Sequence, residues 1–412
     1  MLKRISVHQL KLGMFLQEFC GTWMEHPFWR TSFVLKDPKD LERIRATSIQ
    51  EVWIDASKGL DVPAGEQAVT RAEVEADIES ELGSLAELDQ RRLEPESMAR
   101  ELQKAASICA RSKQAVSSMF QEARLGKAVD TAVALQLVAE ISDSVTRNPG
   151  ALISLARLKN ADDYTYMHSV AVCALMVALA RQLHLSPAMT RIAGEAGLLH
   201  DQGKAAMPME ILNKPGKLTD AEFAIVKEHP VEGFRMLQLA GNVDEAVIDA
   251  CLHHHEKVDG TGYPDGLAGD AISLLAKMNA VCDVYDAITS NRPYKAGWDP
   301  AESLRRMAEW APKHFDAAVF QAFVKSIGIY PVGSLVRLSS GRLAVVCEQG
   351  SASLMKPKVK VFFSTRSGLR IPPELIDLAA RDCSEKIEAR ENPDKWRFPD
   401  LHAIWMGLAD KK

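Results

Sequence analysis

The sequence has little that would indicate a membrane protein, a disulfide-bonded protein or a nucleic-acid-binding protein. Its longest apolar run, residues 170–180, is too short to cross a bilayer, and the amino terminus lacks the apolar core of a signal peptide. The seven cysteines never form a CxxC pair, which argues against a disulfide framework and a thiolate zinc site. With 50 basic and 55 acidic residues, the 412-residue chain has a net charge of −5 and no global basic footprint. We therefore expect a cytoplasmic globular protein that binds no DNA, RNA or membrane.

The composition changes along the chain and predicts five segments. Residues 1–70 alternate short apolar stretches with turns, which indicates a small strand-rich domain. Residues 71–127 are rich in Ala, Glu, Arg, Gln and Leu and predict a charged helical connector. Residues 128–330 predict an all-helical domain, residues 331–380 a small C-terminal β appendage, and residues 381–412 a tail. The expected fold class is mainly α.

Local signals within 128–330 mark individual helices. Ser186 before Pro187 predicts a helix start, and the stretches 219–222 and 299–302 are typical capping boxes. Residues 256–271 contain four glycines and a proline, a concentration of helix breakers too long for a simple connection. We expect a functional loop there.

The histidines are concentrated in a short part of the helical region. Seven of the eleven fall between residues 168 and 255. A single histidine on an apolar helix is more often a hydrogen-bonded core residue than a ligand, and we interpret His184 in this way. His200 and Asp201 follow an apolar helix, His229 precedes a proline that predicts a helix end, and Asp283 lies inside an apolar helix. Metal ions would satisfy all of these polar groups together.

The types of side chain narrow the choice of metal. Imidazole and carboxylate without thiolate suit iron, manganese or zinc, and one carboxylate can bridge two ions through its two oxygens. The adjacent His200 and Asp201 suit such a bridge. Two ions about 3.5–4 Å apart can activate a water and bind the phosphoryl oxygens of an in-line displacement. The cluster alone predicts metal-assisted hydrolysis of a phosphate ester.

Five motifs in a fixed order make the resemblance to one family specific. They are HDQGK at 200–204, NKPGKLTDAE at 213–222, HP at 229–230, HHEKVDGTGYP at 254–264, and DVYDA at 283–287 continuing to RPYK at 292–295. Together they resemble the HD-GYP family of cyclic di-GMP phosphodiesterases, an HD-type phosphohydrolase fold, over about residues 128–330. The amino-terminal stretch, with LKLGM at 10–14 and HPFW at 26–29, is similar to an uncharacterised domain that precedes HD-GYP domains in one subgroup.

The resemblance implies a role for each matching residue. The implied metal ligands are His168, His200, Asp201, His229, His254, His255 and Asp283. They would hold two divalent ions, iron or manganese with zinc as a further candidate, and Asp201 would bridge them. Lys204, Arg292 and Lys295 match the residues that bind substrate phosphates, where fixed cations stabilise developing charge. His200, Asp201 and Lys204 would be the catalytic residues.

The GYP motif is interpreted separately. Gly262 is expected to adopt a positive φ and Pro264 to fix the next turn, so that Tyr263 is presented beside the metal site. Tyr263 would contact guanine or a partner diguanylate cyclase of the GGDEF type. The alternative is that Tyr263 only packs the loop.

The function implied by the resemblance is hydrolysis of cyclic di-GMP to linear pGpG, with further hydrolysis to GMP left open, which lowers the level of a bacterial second messenger. One alternative is a catalytically silent cyclic di-GMP receptor or scaffold for diguanylate cyclases. Another is a hydrolase of a different cyclic dinucleotide, such as cyclic GMP-AMP. The amino-terminal domain is a candidate for signal sensing or for homodimer formation.

Two positions depart from the family pattern. Gln202 follows the HD pair where the family usually has an apolar residue. Tyr164 stands four residues before His168, where relatives with a third metal have glutamate. The second departure favours a two-metal centre, while Asp162 and Asp163 nearby leave the number of ions open.

Overall fold

A computed structural model describes most of the chain and separates it into two units. The described residues are 2–20, 32–47, 49–63, 68–71, 73–74, 98–157, 164–214, 216–290, 297–350, 353–398 and 400–407. The first unit comprises residues 1–82 and 305–312, and the second comprises residues 83–304 and 313–412.

The first unit contains a five-stranded antiparallel sheet in the order β3-β2-β4-β1-β5. Its elements are β1 Leu2–Ser6, β2 Phe15–Cys20, β3 Phe33–Val34, α1 Pro38–Arg45, β4 Glu51–Asp55 and β5 Val69–Thr70. Leu10, Leu16, Leu35, Ile44 and Val52 are fully buried at its centre. The strand-rich character predicted for the amino-terminal segment is confirmed.

The second unit is mainly helical. Its helices are α2 Met98–Arg124, α3 Thr131–Arg147, α4 Pro149–Arg157, α5 Tyr164–Gln182, α6 Pro187–Leu199, α7 Met209–Leu212, α8 Asp220–Val226, α9 His229–Ala240, α10 Glu245–His253, α11 Leu274–Thr289, α12 Pro300–His314 and α13 Ala317–Ile327. Residues 305–312 of α12 are assigned to the first unit. A 3₁₀ turn, Gln202–Ala206, follows α6. Every residue of the apolar run 170–180, which lies in α5, is buried, because this part of the helix is apolar on all sides and is enclosed by its neighbours.

The predicted helix starts agree with the structure. The Ser186 side chain caps α6 by accepting a hydrogen bond from the Met189 amide, and residues 219–222 form a reciprocal capping box at α8. The Asp299 carboxylate accepts hydrogen bonds from the amides of Ala301 and Glu302 at the start of α12. These side chains satisfy amide groups that have no partner within the helix.

The expectation that Pro230 marks a helix end is wrong. Helix α8 ends earlier, at Val226, and Pro230 lies in the first turn of α9, which begins at His229. The first turn tolerates proline because its amide would have no helical partner there. His229 is therefore fixed at a helix start.

A second five-stranded antiparallel sheet, in the order β10-β6-β7-β8-β9, follows the helices. Its strands are β6 Leu335–Leu338, β7 Arg342–Glu348, β8 Lys358–Ser364, β9 Leu369–Asp377 and β10 Ile387–Arg390, and the short helices α14 Pro393–Trp396 and α15 Leu401–Trp405 come last. The sheet extends past residue 380 because β10 pairs with β6. The mainly α class with strand-rich ends is confirmed, and the five segment boundaries stay a prediction. Within the described residues, none of the helices meets the length and apolarity needed to cross a bilayer.

Candidate metal centre and nucleotide site

The structure brings the seven candidate ligands together from five helices. His168 lies in α5, His200 and Asp201 follow α6, His229 begins α9, His254 and His255 follow α10, and Asp283 lies in α11. Six of the seven are less than a tenth exposed, and His255 is half-buried. Side chains that are polar and buried at this density require partners.

Hydrogen bonds with backbone carbonyl groups orient three of the histidines. In His200, His229 and His254 the Nδ1 atom lies 2.7–2.9 Å from the carbonyl oxygen of the residue three positions earlier. A carbonyl can only accept, so Nδ1 carries the proton and donates in each ring. The Nε2 lone pair of each histidine is then available for a metal ion.

His168 is oriented differently. Its Nδ1 atom lies 2.6 Å from Oδ2 of Asp286, and its Nε2 atom lies 2.9 Å from Oδ1 of Asp283. Both carboxylates come from α11, three residues apart and therefore on the same side of that helix. His168 thus lies between two acidic side chains.

Among the described residues, three sets of candidate ligands have their ligand atoms within 4.8 Å of one another; two of these sets share no residue, and the third, His200, Asp201 and His254, links them. The Asp283 group consists of His168, His200 and Asp283, and the imidazole group consists of His229, His254 and His255; in each group the ligand atoms lie within 4.8 Å of one another. In the imidazole group the Nε2 atoms of His229 and His254 are 3.2 Å apart.

Asp201 lies between the two groups. Its Oδ1 atom is 3.3 Å from Nε2 of His229 and 3.9 Å from Nε2 of His254. Its Oδ2 atom is 3.4 Å from Nε2 of His200 and 3.6 Å from Nε2 of His168. Each oxygen of one carboxylate therefore faces a different group, which is the arrangement that a bridging ligand needs.

The site fits divalent metal ions by a further criterion. Within the described residues, the buried atoms His200 Nε2 and Asp201 Oδ1 have no hydrogen-bond partner. Leaving such atoms unsatisfied is costly, and a cation coordinated by both would remove the cost. Nitrogen and carboxylate donors without thiolate suit iron, manganese or zinc.

The two groups also differ in electrostatics. Burial alone would lower the pKa of His168, but hydrogen bonds with Asp283 and Asp286 outweigh burial and raise that pKa. Burial lowers the pKa of His255 to about 3, and it holds the pKa of His229 and His254 below the usual range. The imidazole group is therefore neutral at pH 7, the form that binds metal.

Lys204 is the nearest cation to the ligands among the described residues. Its Nζ atom lies 2.5 Å from Oδ2 of Asp201. Burial would raise the pKa of Asp201, but the positive charge of Lys204 and the contacts with His200 and His229 outweigh burial and hold it well below its usual range. Asp201 is therefore an anion, and Lys204 is placed at the ligand that faces both groups.

The 3₁₀ turn of the HDQGK motif is anchored on both of its sides. The Gln202 side chain is buried and its amide donates to the Met119 carbonyl in α2, which gives this departure from the family pattern a packing role. A Cβ atom on Gly203 would lie 1.9 Å from the His229 carbonyl oxygen and 2.4 Å from the Gly233 amide nitrogen. Only glycine allows the turn to approach α9 so closely.

The GYP loop is attached to the segment that follows the two ligand histidines. The buried Glu256 carboxylate accepts hydrogen bonds from the amides of Asp265 and Gly266, at 2.8 and 3.0 Å. The Tyr263 ring stacks on the His255 ring, with centres 4.8 Å apart and planes 30° apart. The loop therefore packs against a candidate ligand.

The expected positive φ at Gly262 is wrong. Positive φ values occur nearby at Gly260 and Gly266, but the φ of Gly262 lies outside the left-handed region. A Cβ atom on Gly262 would lie 2.4 Å from Glu256 Cα and 2.5 Å from Lys257 N. Glycine is needed because the two backbone segments cross in contact.

His253 directly precedes the two ligand histidines, and the resemblance assigns it no ligand role. His253 is not part of the cluster, because its Nδ1 and Nε2 atoms pair with Asp249 and Asp265 at 2.8 and 3.0 Å. Arg292 and Lys295 lie outside the described residues. Their predicted contacts with phosphates therefore stay a prediction.

Three residues with contacts at the site were given no role from the sequence. They are Lys227, whose Nζ atom lies 5.7 Å from the centre of the Tyr263 ring, and the carboxylates Glu256 and Asp286. For Asp286, the spacing of three residues from Asp283 in an apolar helix was the available signal, since it puts both carboxylates on one face.

Comparisons with known proteins agree with this geometry. Residues 2–134 match a domain of unknown function, DUF3391, and residues 141–319 match the HD domain. The chain is 57% identical over 411 residues to the cyclic di-GMP phosphodiesterase PA4108 of Pseudomonas aeruginosa, and the match covers 99% of this chain and 97% of that protein. The chain belongs to the HD-GYP family of cyclic di-GMP phosphodiesterases. Both predicted resemblances, of the helical region and of the amino-terminal domain, are confirmed.

Other phosphodiesterases of cyclic dinucleotides match a shorter part of the chain. The cyclic di-GMP phosphodiesterase response regulator RpfG of Xanthomonas campestris is 38% identical over 183 residues, which cover 44% of this chain and 45% of RpfG. The 3'3'-cGAMP-specific phosphodiesterase 1 of Vibrio cholerae is 36% identical over 164 residues, which cover 40% of this chain and 38% of that enzyme. The names of these relatives therefore include two cyclic dinucleotides.

Proposed function

We propose that this chain hydrolyses cyclic di-GMP to linear pGpG and then to GMP, and so lowers the level of this second messenger. The observation that carries the proposal is the position of Asp201, whose two carboxylate oxygens face two separate ligand groups. Membership of the HD-GYP family supplies the substrate class.

The ligand groups would hold two divalent ions, iron or manganese with zinc as a further candidate. The Asp283 group would hold one ion, the imidazole group the other, and Asp201 would bind both. When bound, the ions supply Lewis-acid polarisation of the phosphodiester and activation of a water.

The reaction adds the oxygen of water to phosphorus and breaks the bond from phosphorus to the 3′ oxygen. One proton of the water ends on the departing 3′ oxygen, and the other is released. Lys204 would turn from Asp201 to the phosphoryl oxygens, where a fixed cation stabilises the charge that develops. Arg292 and Lys295 would bind the phosphates as well, and Tyr263, half-buried against His255, would contact a guanine base.

The test is product analysis with purified protein loaded with iron or manganese under anaerobic conditions. We expect loss of cyclic di-GMP with appearance of pGpG and then GMP, measured by liquid chromatography and mass spectrometry. The control variant is His253→Ala, since His253 is paired with two aspartates outside the ligand groups. Intact cyclic di-GMP after long incubation, in protein that binds two ions per chain, would contradict the proposal.

The same assay separates the two alternatives. A silent receptor or scaffold would bind cyclic di-GMP without turnover, but the described residues retain all seven candidate ligands and Lys204. Hydrolysis of 3'3'-cGAMP is a second candidate, because one relative is named for that nucleotide. Comparison of kcat/KM for both nucleotides decides between the substrates.

The remaining predictions concern partners and location. We retain as hypotheses a cytoplasmic location, a homodimer, and a diguanylate cyclase partner that contacts the GYP loop. Size-exclusion chromatography with light scattering tests the dimer, and a pull-down with a purified GGDEF domain, compared between wild type and Tyr263→Ala, tests the partner.

A further inference from the structure

We infer that Asp286 and Ser290 are positioning residues that make the Asp283 group the tighter of the two metal-binding groups. The inference rests on the metal centre of the proposed function. It assigns roles to two residues of α11 and its C-terminal end that bind no ion themselves.

The first observation is the contact between Asp286 and His168. The distance from His168 Nδ1 to Asp286 Oδ2 is 2.6 Å, and both side chains are 2% exposed. A carboxylate accepts strongly, so the Nδ1 proton is held toward Asp286 and Nε2 is directed to the site.

The second observation is that Asp286 is itself held. The Ser290 hydroxyl donates to Oδ1 of Asp286 at 3.1 Å, and the Ser290 amide donates to the Asp286 carbonyl. Ser290 is 2% exposed. Each oxygen of the carboxylate therefore has a partner, which fixes its plane and with it the ring of His168.

The third observation is the contrast with the other histidines. His200, His229 and His254 are each held by a neutral backbone carbonyl. A negatively charged acceptor increases the electron density of an imidazole more than a neutral carbonyl does, so His168 is the stronger donor to a cation.

The charges around the two groups also favour tighter binding of an ion in the Asp283 group. Asp283 and Asp286 place two carboxylates around the Asp283 group, whereas the imidazole group consists of three rings with no carboxylate of its own and shares Asp201 with its neighbour. A divalent ion is therefore better neutralised in the Asp283 group. We expect the first ion to bind there.

The experiment is titration of metal-free full-length protein with Mn²⁺ alone, with free Mn²⁺ measured by electron paramagnetic resonance. We expect Asp286→Asn, which keeps the size of the side chain and removes its charge, to raise the Kd of the tighter ion about 10–100-fold. The Kd of the other ion should change by less than about threefold. The matched control is Asp249→Asn, which alters a similar carboxylate contact with the Nδ1 atom of His253, outside the centre.

Ser290→Ala is a smaller change that leaves Asp286 in place. It therefore tests the inference even if Asp286→Asn fails to fold. It should weaken the same ion by roughly threefold, because Asp286 keeps its charge and loses one partner. Unchanged Mn²⁺ binding in Asp286→Asn would overturn the inference, and so would equal weakening of both ions. If Asp286→Asn does not fold, unchanged binding in Ser290→Ala overturns it.

The readout does not involve a nucleotide. Failure of cyclic di-GMP hydrolysis in wild-type protein would leave the Mn²⁺ titration intact. Conversely, equal weakening of both ions by Asp286→Asn would contradict the role of Asp286, and the assignment of the substrate would be unaffected. The two proposals can therefore fail separately.

Discussion

The Asp283 group and the imidazole group use the same type of side chain in different surroundings. His168 pairs with two carboxylates, and hydrogen bonds with them raise its pKa. The imidazole group is held by carbonyl contacts and ring packing, and burial lowers the pKa of its histidines. The difference teaches that a histidine's properties as a metal ligand depend on more than the ring itself. They also depend on the group that is hydrogen-bonded to Nδ1, the nitrogen facing away from the other ligands.

The largest effect is expected from removing Asp201, the residue that both groups share. Asp201→Ala should abolish binding of two ions and lower kcat for cyclic di-GMP by about 10³-fold or more, because each oxygen faces a different group. Metal content by mass spectrometry and steady-state kinetics measure this. Circular dichroism should show that the helices remain folded, and full activity would contradict the bridging role.

A narrower change should affect one group alone. His254→Ala removes a ligand from the imidazole group, and we expect loss of one ion per chain and a roughly 10²-fold lower kcat. His253→Ala, one residue earlier, should keep both ions and near wild-type activity. Equal metal content in the two variants would contradict the assignment of His254, and not His253, as a metal ligand.

The distance between the groups can also be disturbed through the backbone. Gly203→Ala would put a Cβ atom 1.9 Å from the His229 carbonyl oxygen, so Asp201 and His229 must move apart. We expect a loss of about 3 kcal/mol in the free energy of unfolding and weaker metal binding. Gly233→Ala alters the same contact from the α9 side, where the nearest atom is 3.2 Å away, and should cost about 1 kcal/mol. Urea denaturation of metal-free protein compares the two; equal losses would contradict the steric account.

The smallest effect should come from Gln202, whose side-chain hydrogen bond goes to α2 and not to a ligand. Gln202→Leu restores the apolar type usual in the family and removes the hydrogen bond to the Met119 carbonyl. We expect a change of less than about 1.5 kcal/mol in the free energy of unfolding and two ions per chain as in wild type. Loss of an ion in this variant would mean that the 3₁₀ turn depends on α2 more than its packing suggests.

The sequence predicted the parts of the site that local patterns specify. The order of the motifs predicted that residues 168–283 would supply one cluster, and the structure brings those ligands together. The capping signals at Ser186 and Thr219 predicted where helices begin because a cap depends on neighbours in the chain.

The remaining features depend on contacts between distant segments. The hydrogen bond from His168 to Asp286 joins residues 118 positions apart, and no local pattern shows which histidine that aspartate meets. The reason for glycine at 262 was mispredicted for a related cause. A positive φ is a local property, whereas the contact with Glu256 and Lys257 appears only when the loop folds back.

The placement of ligands at helix ends has a consequence for insertions and deletions. His229 begins α9 and His254 follows α10, so both lie at one end of this helix pair, and residues 241–244 connect the opposite ends. Helix α9 has 12 residues and is about 18 Å long, which separates that connection from the metal centre. Extra residues inserted at 241–244 should therefore be accommodated without loss of metal, which makes this connection a suitable position for a tag or a fluorescent reporter.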